Sequence, residues 1–150
     1  MKIYMDVCCL NRPFDDQTQD RIHLESEAIL TILWHCERGD WKLIHSEIID
    51  LEIFKIPDKY RKEKVYHLSK ISKVKVEVNK QVWDRYEELE EINLTHFDAL
   101  RIACAEIGKA DIFLTTDDDI IKKINKSKIE LRVDVKNPIK WLMGVENYGD

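Results

Sequence analysis

The chain has 150 residues, the size of one ordinary domain with length enough to bury a core. Apolar residues make up 44% and charged residues 35%, a soluble globular balance, and a net charge of −5 excludes a generic polyanion binder. No apolar run approaches the ~20 residues of a membrane span. The opening "MKIYMDVCCL" lacks a secretory cleavage site, so a single cytoplasmic domain over residues 1–150 is expected.

"KIYMDVC" reads as a short buried strand. Residues 21–38 read as a helix closed by Gly39, and "WKLIHS" as a second strand. Ser46 is placed to cap a helix through "EIIDLEIFKI", and Pro57 to begin another that runs to about Ile71. "VKVEV" alternates as a strand does. Helices over 79–92 and 95–108 follow, with Asn79 and Thr95 as caps. "DIFLTT" is the next strand, "DDIIKKINK" a short helix, "IELRVD" a fifth strand and "NPIKWLMGVEN" a last helix. Strands alternating with helices predict a three-layer α/β/α sandwich around a mainly parallel sheet of about five strands. The cysteines, Cys8, Cys9, Cys36 and Cys104, form no C-x-x-C pair, which argues for small buried thiols and against zinc.

Sheets of this kind place their sites at the carboxyl ends of the strands. Asp6 stands where the first strand ends, and Asp117, Asp118 and Asp119 where "DIFLTT" ends. One of those three aspartates has a plainer use as the cap of the following helix. Glu52 falls in the middle of the face that holds Ile48, Ile49, Ile53 and Ile56. A carboxylate there needs a partner, either a buried arginine or a cation shared with other acids. Asp98 opens "FDALRIACAEIGKA", a helix of small residues suited to close packing. With Thr95 it also fits a capping box.

These four acids, in "KIYMDVCCLNRPFDD", "SEIIDLE", "LTHFDALRIACAE" and "ADIFLTTDDDI", resemble in order and rough spacing the pattern of PIN-domain nucleases, among them VapC-like toxins of type II toxin–antitoxin pairs. The resemblance spans nearly the whole chain and is most specific in "FDALRIACAEIGKADIFLTTD". The family often follows its first aspartate with a small hydroxyl residue and then a polar one. Here Val7 and Cys8 hold those places.

The resemblance implies metal-dependent endoribonuclease activity, with Asp6, Glu52, Asp98 and Asp117 as site residues and Asp119 as a further acid. Oxygen-only ligands favour Mg²⁺ or Mn²⁺ over zinc. Such an ion lowers the pKa of a bound water and stabilises charge at phosphorus, so no nucleophilic side chain is required. Thr115 or Thr116 is placed to orient a carboxylate or a metal-bound water, and Asn11 and Arg12 to touch the scissile phosphate. The segment Lys55 to Lys75 is rich in lysine and carries Tyr60 and Tyr66, which suits either a backbone-tracking RNA surface or a solvated amphipathic helix. The family also implies a homodimer and an antitoxin partner. "AILTILWHC" and "WLMGVENYG" are the apolar segments available for such contacts.

Three other readings compete. A phospho-acceptor receiver-like domain has no use for Glu52 and Asp98 on helices. A haloacid-dehalogenase-like phosphatase needs an aspartate where Cys8 stands. A catalytically inactive PIN-like domain would serve as a protein- or RNA-binding module.

Overall fold

The computed structural model describes residues 1–146. Five short strands, β1 (Lys2–Met5), β2 (Lys42–Ser46), β3 (Val74–Val76), β4 (Ile112–Leu114) and β5 (Asp134–Lys136), form one parallel sheet in the order β3-β2-β1-β4-β5. The two central strands, β1 and β4, are covered on both faces, which is why they read as continuous apolar runs rather than alternating ones. Tyr4 pairs with Phe113 across them, and the two rings stack at 5.3 Å.

The helices are α1 (Val7–Asn11), α2 (Asp20–Arg38), α3 (Glu47–Phe54), α4 (Lys59–Ser69), α5 (Lys80–Leu89), α6 (His96–Ile107), α7 (Asp118–Lys126) and α8 (Pro138–Glu146). α2 packs with α8 and touches β2, while α5 packs with α6, which lies against β2 and β3. The result is the PIN-like three-layer α/β/α sandwich expected from the sequence. Gly108 lets the end of α6 approach the sheet closely: a Cβ there would lie 2.7 Å from Val76 and 3.3 Å from Ile44.

The caps act where the sequence places them. Ser46, Asn79 and Thr95 accept from the backbone N–H of Ile49, Val82 and Asp98 respectively. Gly39 ends α2 in the left-handed region at φ 91°. Four local expectations need correction. The first strand stops at Met5, because the chain turns at Asp6 into the short helix α1 and then a 3₁₀ turn at Arg12–Phe14. The helix expected from Pro57 starts at Lys59, because Asp58 accepts from Tyr60 and Arg61 N–H and so caps it. α3 ends at Phe54, two residues short of the expected Ile56. The fifth strand is Asp134–Lys136 rather than 129–134; Ile129, Leu131 and Val133 pack on the core from irregular chain that leads into it.

The two apolar segments divide. Trp141 and Leu142 enter the core, whereas Leu30 and Trp34 on α2 stay exposed, as does Met143. Asn147, Tyr148 and Gly149 of the C-terminal segment lie outside the described residues.

Candidate active site

The chain runs β1 to β2 to β3 in one direction across the sheet and β4 to β5 in the other, so the order reverses between β1 and β4. A crevice opens at such a reversal, outside the carboxyl ends of the strands. Asp6 follows β1 there and Thr115 follows β4. The Asp6 N–H donates to the Leu114 carbonyl at 2.9 Å, which fixes the aspartate against the neighbouring strand. Its side chain is almost wholly buried, with the residue 2% exposed.

Helices α3 and α6 bring the other two acids. Ser46 ends β2, caps α3, and is itself held by the Tyr4 hydroxyl at 2.7 Å, so the helix that carries Glu52 is anchored directly to the sheet. Ile48, Ile49 and Ile53 bury the same face of α3, and Glu52 sits half-buried among them. Thr95 caps α6, and Asp98 lies in its first turn. Among the described residues Asp98 turns towards Arg101 rather than back to the Thr95 backbone, so only half of the expected capping box forms.

Arg101 is the centre of the constellation. Its Nε and Nη2 donate to the two oxygens of Glu52 at 2.6 and 2.8 Å, a bidentate pair. Its Nη1 donates to Asp98 Oδ1 at 2.7 Å and lies 3.0 Å from Asp6 Oδ1. The cation that the shared acids demand is thus, in this arrangement, a side chain of the same protein. The sequence signal for it was only its position three residues after Asp98, on the same face of the helix.

The electrostatics follow from one cation among several acids. Burial alone would depress the Arg101 guanidinium. The charges of Asp6, Glu52 and Asp98 outweigh burial and hold its pKa above the usual arginine value. Glu52 nonetheless has a raised pKa. Its burial, assisted by the charges of Asp6 and Asp98, outweighs what the shared arginine gives back.

Asp6 is held differently on its two oxygens. Oδ2 accepts from the Thr115 hydroxyl at 2.9 Å and from the Cys8 thiol at 3.3 Å. Asp6 Oδ2 is thus held from across the sheet by Thr115 and from two residues on by Cys8. Asp6 Oδ1 is buried and lies 3.0 Å from Arg101 Nη1, but not in hydrogen-bonding geometry with it.

The remaining expected residues are placed as follows. The Asp117 N–H donates to Thr115 Oγ1, so its backbone is one hydrogen bond from the Asp6 site, but its carboxylate accepts from Asp119 N–H and caps α7. Asp118 forms a bidentate pair with Arg21 at 2.8 and 2.9 Å, and Asp119 is exposed. The run of three aspartates is thus a cap, an ion pair and a solvated residue. Thr116 is buried, and its N–H points at the Cys8 sulfur. Arg12 is engaged with the fully buried Glu25 at 3.0 Å and with Asp15 at 3.2 Å. Asn11 bonds the Val7 carbonyl and accepts from Arg61, which also ties α4 to Asp15 and Phe14. His96, two residues before Asp98, is paired with the Tyr86 hydroxyl instead of the acids.

The donor set suits Mg²⁺ or Mn²⁺ in kind: it is all oxygen, and it includes a buried oxygen with an unused lone pair at Asp6. Its present arrangement does not grip an ion, since Arg101 holds the acids and no three metal-binding side chains are set around one point among the described residues.

No protein-family model and no curated protein matches the sequence. The fold does match solved structures. The structure of VapBC2 from Rickettsia felis bound to a DNA fragment from their promoter aligns with a TM-score of 0.60 and 13% identity, covering 91% of this chain and 98% of that one. VapBC-1 from nontypeable Haemophilus influenzae aligns with a TM-score of 0.57 and 13% identity, over 92% and 98%. The chain has the PIN-like fold of those VapBC chains, as the resemblance in its sequence implies.

Proposed function

We propose that this protein is a metal-dependent endoribonuclease that hydrolyses RNA phosphodiester bonds with an activated water. The observation that carries the reading is the meeting of Asp6, Glu52 and Asp98, distant in sequence, at the strand-order reversal of a VapC-like fold. Asp6, Glu52 and Asp98, joined by Asp117 from its place as the α7 cap, would hold Mg²⁺ or Mn²⁺, which when bound supplies an acidified water and charge stabilisation at phosphorus. Thr115 keeps the Asp6 carboxylate oriented, and the Cys8 thiol completes the acceptor side of Oδ2. Substrate would approach from the side of α3 and α4. There Phe54 and Tyr60 are 72% and 77% exposed, and the ammonium groups of Lys62 and Lys70 lie over the rings of Phe54 and Tyr66. Exposed rings beside lysines suit stacked bases and a phosphate backbone.

The test is incubation with mixed RNA and Mg²⁺ or Mn²⁺, with a chelator control and mapped product ends. Cleavage that needs the ion and disappears in Asp6→Asn supports the proposal; RNA left intact under every condition sinks it. A second reading, a catalytically inactive PIN-like binding module, is favoured by one observation, the arginine that already neutralises the acids. Retention of RNA on a filter without cleavage would select it. The VapBC likeness also motivates an antitoxin partner, and the exposed Leu30 and Trp34 a homodimer. Co-purification of a second chain and sedimentation at micromolar protein check these two. No helix among the described residues is long and apolar enough to cross a membrane.

A further inference from the structure

We propose that Arg101 sets the metal affinity of this site by acting as its resident cation, which a divalent ion must displace before the acids can bind it. The inference rests on reading the acids as a metal site.

Four contacts support it. The Arg101 guanidinium touches Glu52 twice, Asp98 once and Asp6 once, all between 2.6 and 3.0 Å. It therefore occupies the space between the carboxylates that a bound ion would take. A guanidinium and a divalent cation repel and cannot share that space. The contacts also leave the exchange incomplete in a telling place. The planar fork of arginine serves Glu52 squarely, and its third nitrogen donates to Asp98; the most buried acid of the three, Asp6, has that nitrogen 3.0 Å from Oδ1 but out of hydrogen-bonding geometry. Neutralisation by one cation among three acids leaves net negative charge and one unsatisfied, buried oxygen. A divalent ion would satisfy both, which gives it a basis for competing.

Arg101 also differs from a purely structural arginine in where it can go. Its side chain is 10% exposed and those of Glu52 and Asp98 are 15% and 14%, against 3% for Asp6, so the way out for the guanidinium runs past these two acids rather than through the sheet.

The experiment measures metal binding to the full chain without substrate. Calorimetric titration with Mn²⁺ should show binding to Arg101→Gln that is about tenfold tighter or more than to the wild type, with Arg101→Lys between them. Because Arg101→Gln leaves three acids unpaired and could fail to fold, the wild type provides an independent readout. Titration with diamagnetic Mg²⁺ should move the Arg101 Nε–H resonance towards that of free arginine as the site fills. Equal or weaker Mn²⁺ affinity in Arg101→Gln overturns the inference. So does saturation of the wild type by Mg²⁺ with the Nε–H resonance unmoved. The nuclease reading fails separately: metal exchange as expected with no RNA cleaved by either protein would sink that reading alone. Metal-dependent cleavage by a wild type whose Arg101 never moves would sink only the inference. Absence of metal binding in every variant would sink both.

Discussion

The helix α6 carries a buried ion cluster near each end, and the two are built to different rules. Towards its C-terminus, Glu106 meets Arg85. Nε and Nη2 of that arginine serve the two carboxylate oxygens, the Arg132 N–H adds a bond at 2.7 Å, and Nη2 also reaches the Glu130 carbonyl at 3.0 Å. One buried acid faces one buried arginine, with the exposed Glu88 taking the remaining donor. Every polar atom of the buried pair has a partner. At the N-terminal end, Arg101 faces Asp6, Glu52 and Asp98, and an Asp6 oxygen is left over. A balanced pair holds a fold together; an excess of buried acid over cation is tolerated where something else is to be bound. On the proposed function, the contrast separates a structural pair from a binding site within a single helix.

The sharpest way to break this contrast is to remove one acid from the crowded end. Asp6→Asn should reduce metal-dependent RNA cleavage to the level of the chelator control. Its melting temperature should hold or rise, since two acids remain for the arginine and a repelling charge is gone. A variant that unfolds yet retains specific activity per folded molecule would show that Asp6 is a structural partner like Glu106. The converse test is at the balanced end. Arg85→Met leaves Glu106 as an uncompensated buried charge and should cost about 3–5 kcal/mol in chemical denaturation. Mn²⁺ should not restore that loss, because no three acids are set around one point there among the described residues.

Much of this was legible in the sequence. Strand–helix alternation predicts the parallel sandwich, and caps such as Ser46 and Thr95 are marked by local chemistry that works the same way in any fold. Glu52 was visible because a carboxylate among Ile48, Ile49 and Ile53 breaks a helical stripe. What was not legible depended on distance along the chain. Nothing near Arg101 marks it as the partner of Glu52, which is 49 residues away. Arg12 looked free to meet a phosphate, until α2 brought the buried Glu25 beside it. The helix at Val7–Asn11 was hidden because "VCCL" continues the apolar run of the strand, and periodicity cannot divide so short a stretch. The fifth strand was misplaced because "IELRVD" alternates as a strand does while packing as irregular chain.

Smaller effects sharpen the comparison further. Thr95→Ala removes the cap of α6 at the Arg101 end and should cost about 1 kcal/mol. Hydrogen exchange should accelerate at the Asp98 and Ala99 amides and stay unchanged near Glu106. Equal acceleration at both ends would mean that the helix responds as one unit and that its two clusters are not separable. The smallest effect belongs to an exposed pair. The Arg21 hydrogen bonds lower the Asp118 pKa, so this carboxylate contributes stability above the usual aspartate range and loses it as pH falls through its lowered value. Both partners are about half exposed, so Asp118→Asn should cost less than ~1 kcal/mol at neutral pH. The difference from wild type should vanish in acid, as urea denaturation across pH will show. A difference that persisted or grew in acid would mean that Asp118 stabilises the chain through something other than its charge.

The strand order has a consequence for the newly made chain. β1 is synthesised first, but its neighbour β4 comes only after most of the protein, and the hydroxyl that orients Asp6 belongs to Thr115, just beyond it. A nascent chain, or one truncated before that point, holds Asp6, Glu52 and Asp98 without the strand that seats the first of them. If the chain is the nuclease proposed above, such an order delays the assembled site until the domain is nearly complete.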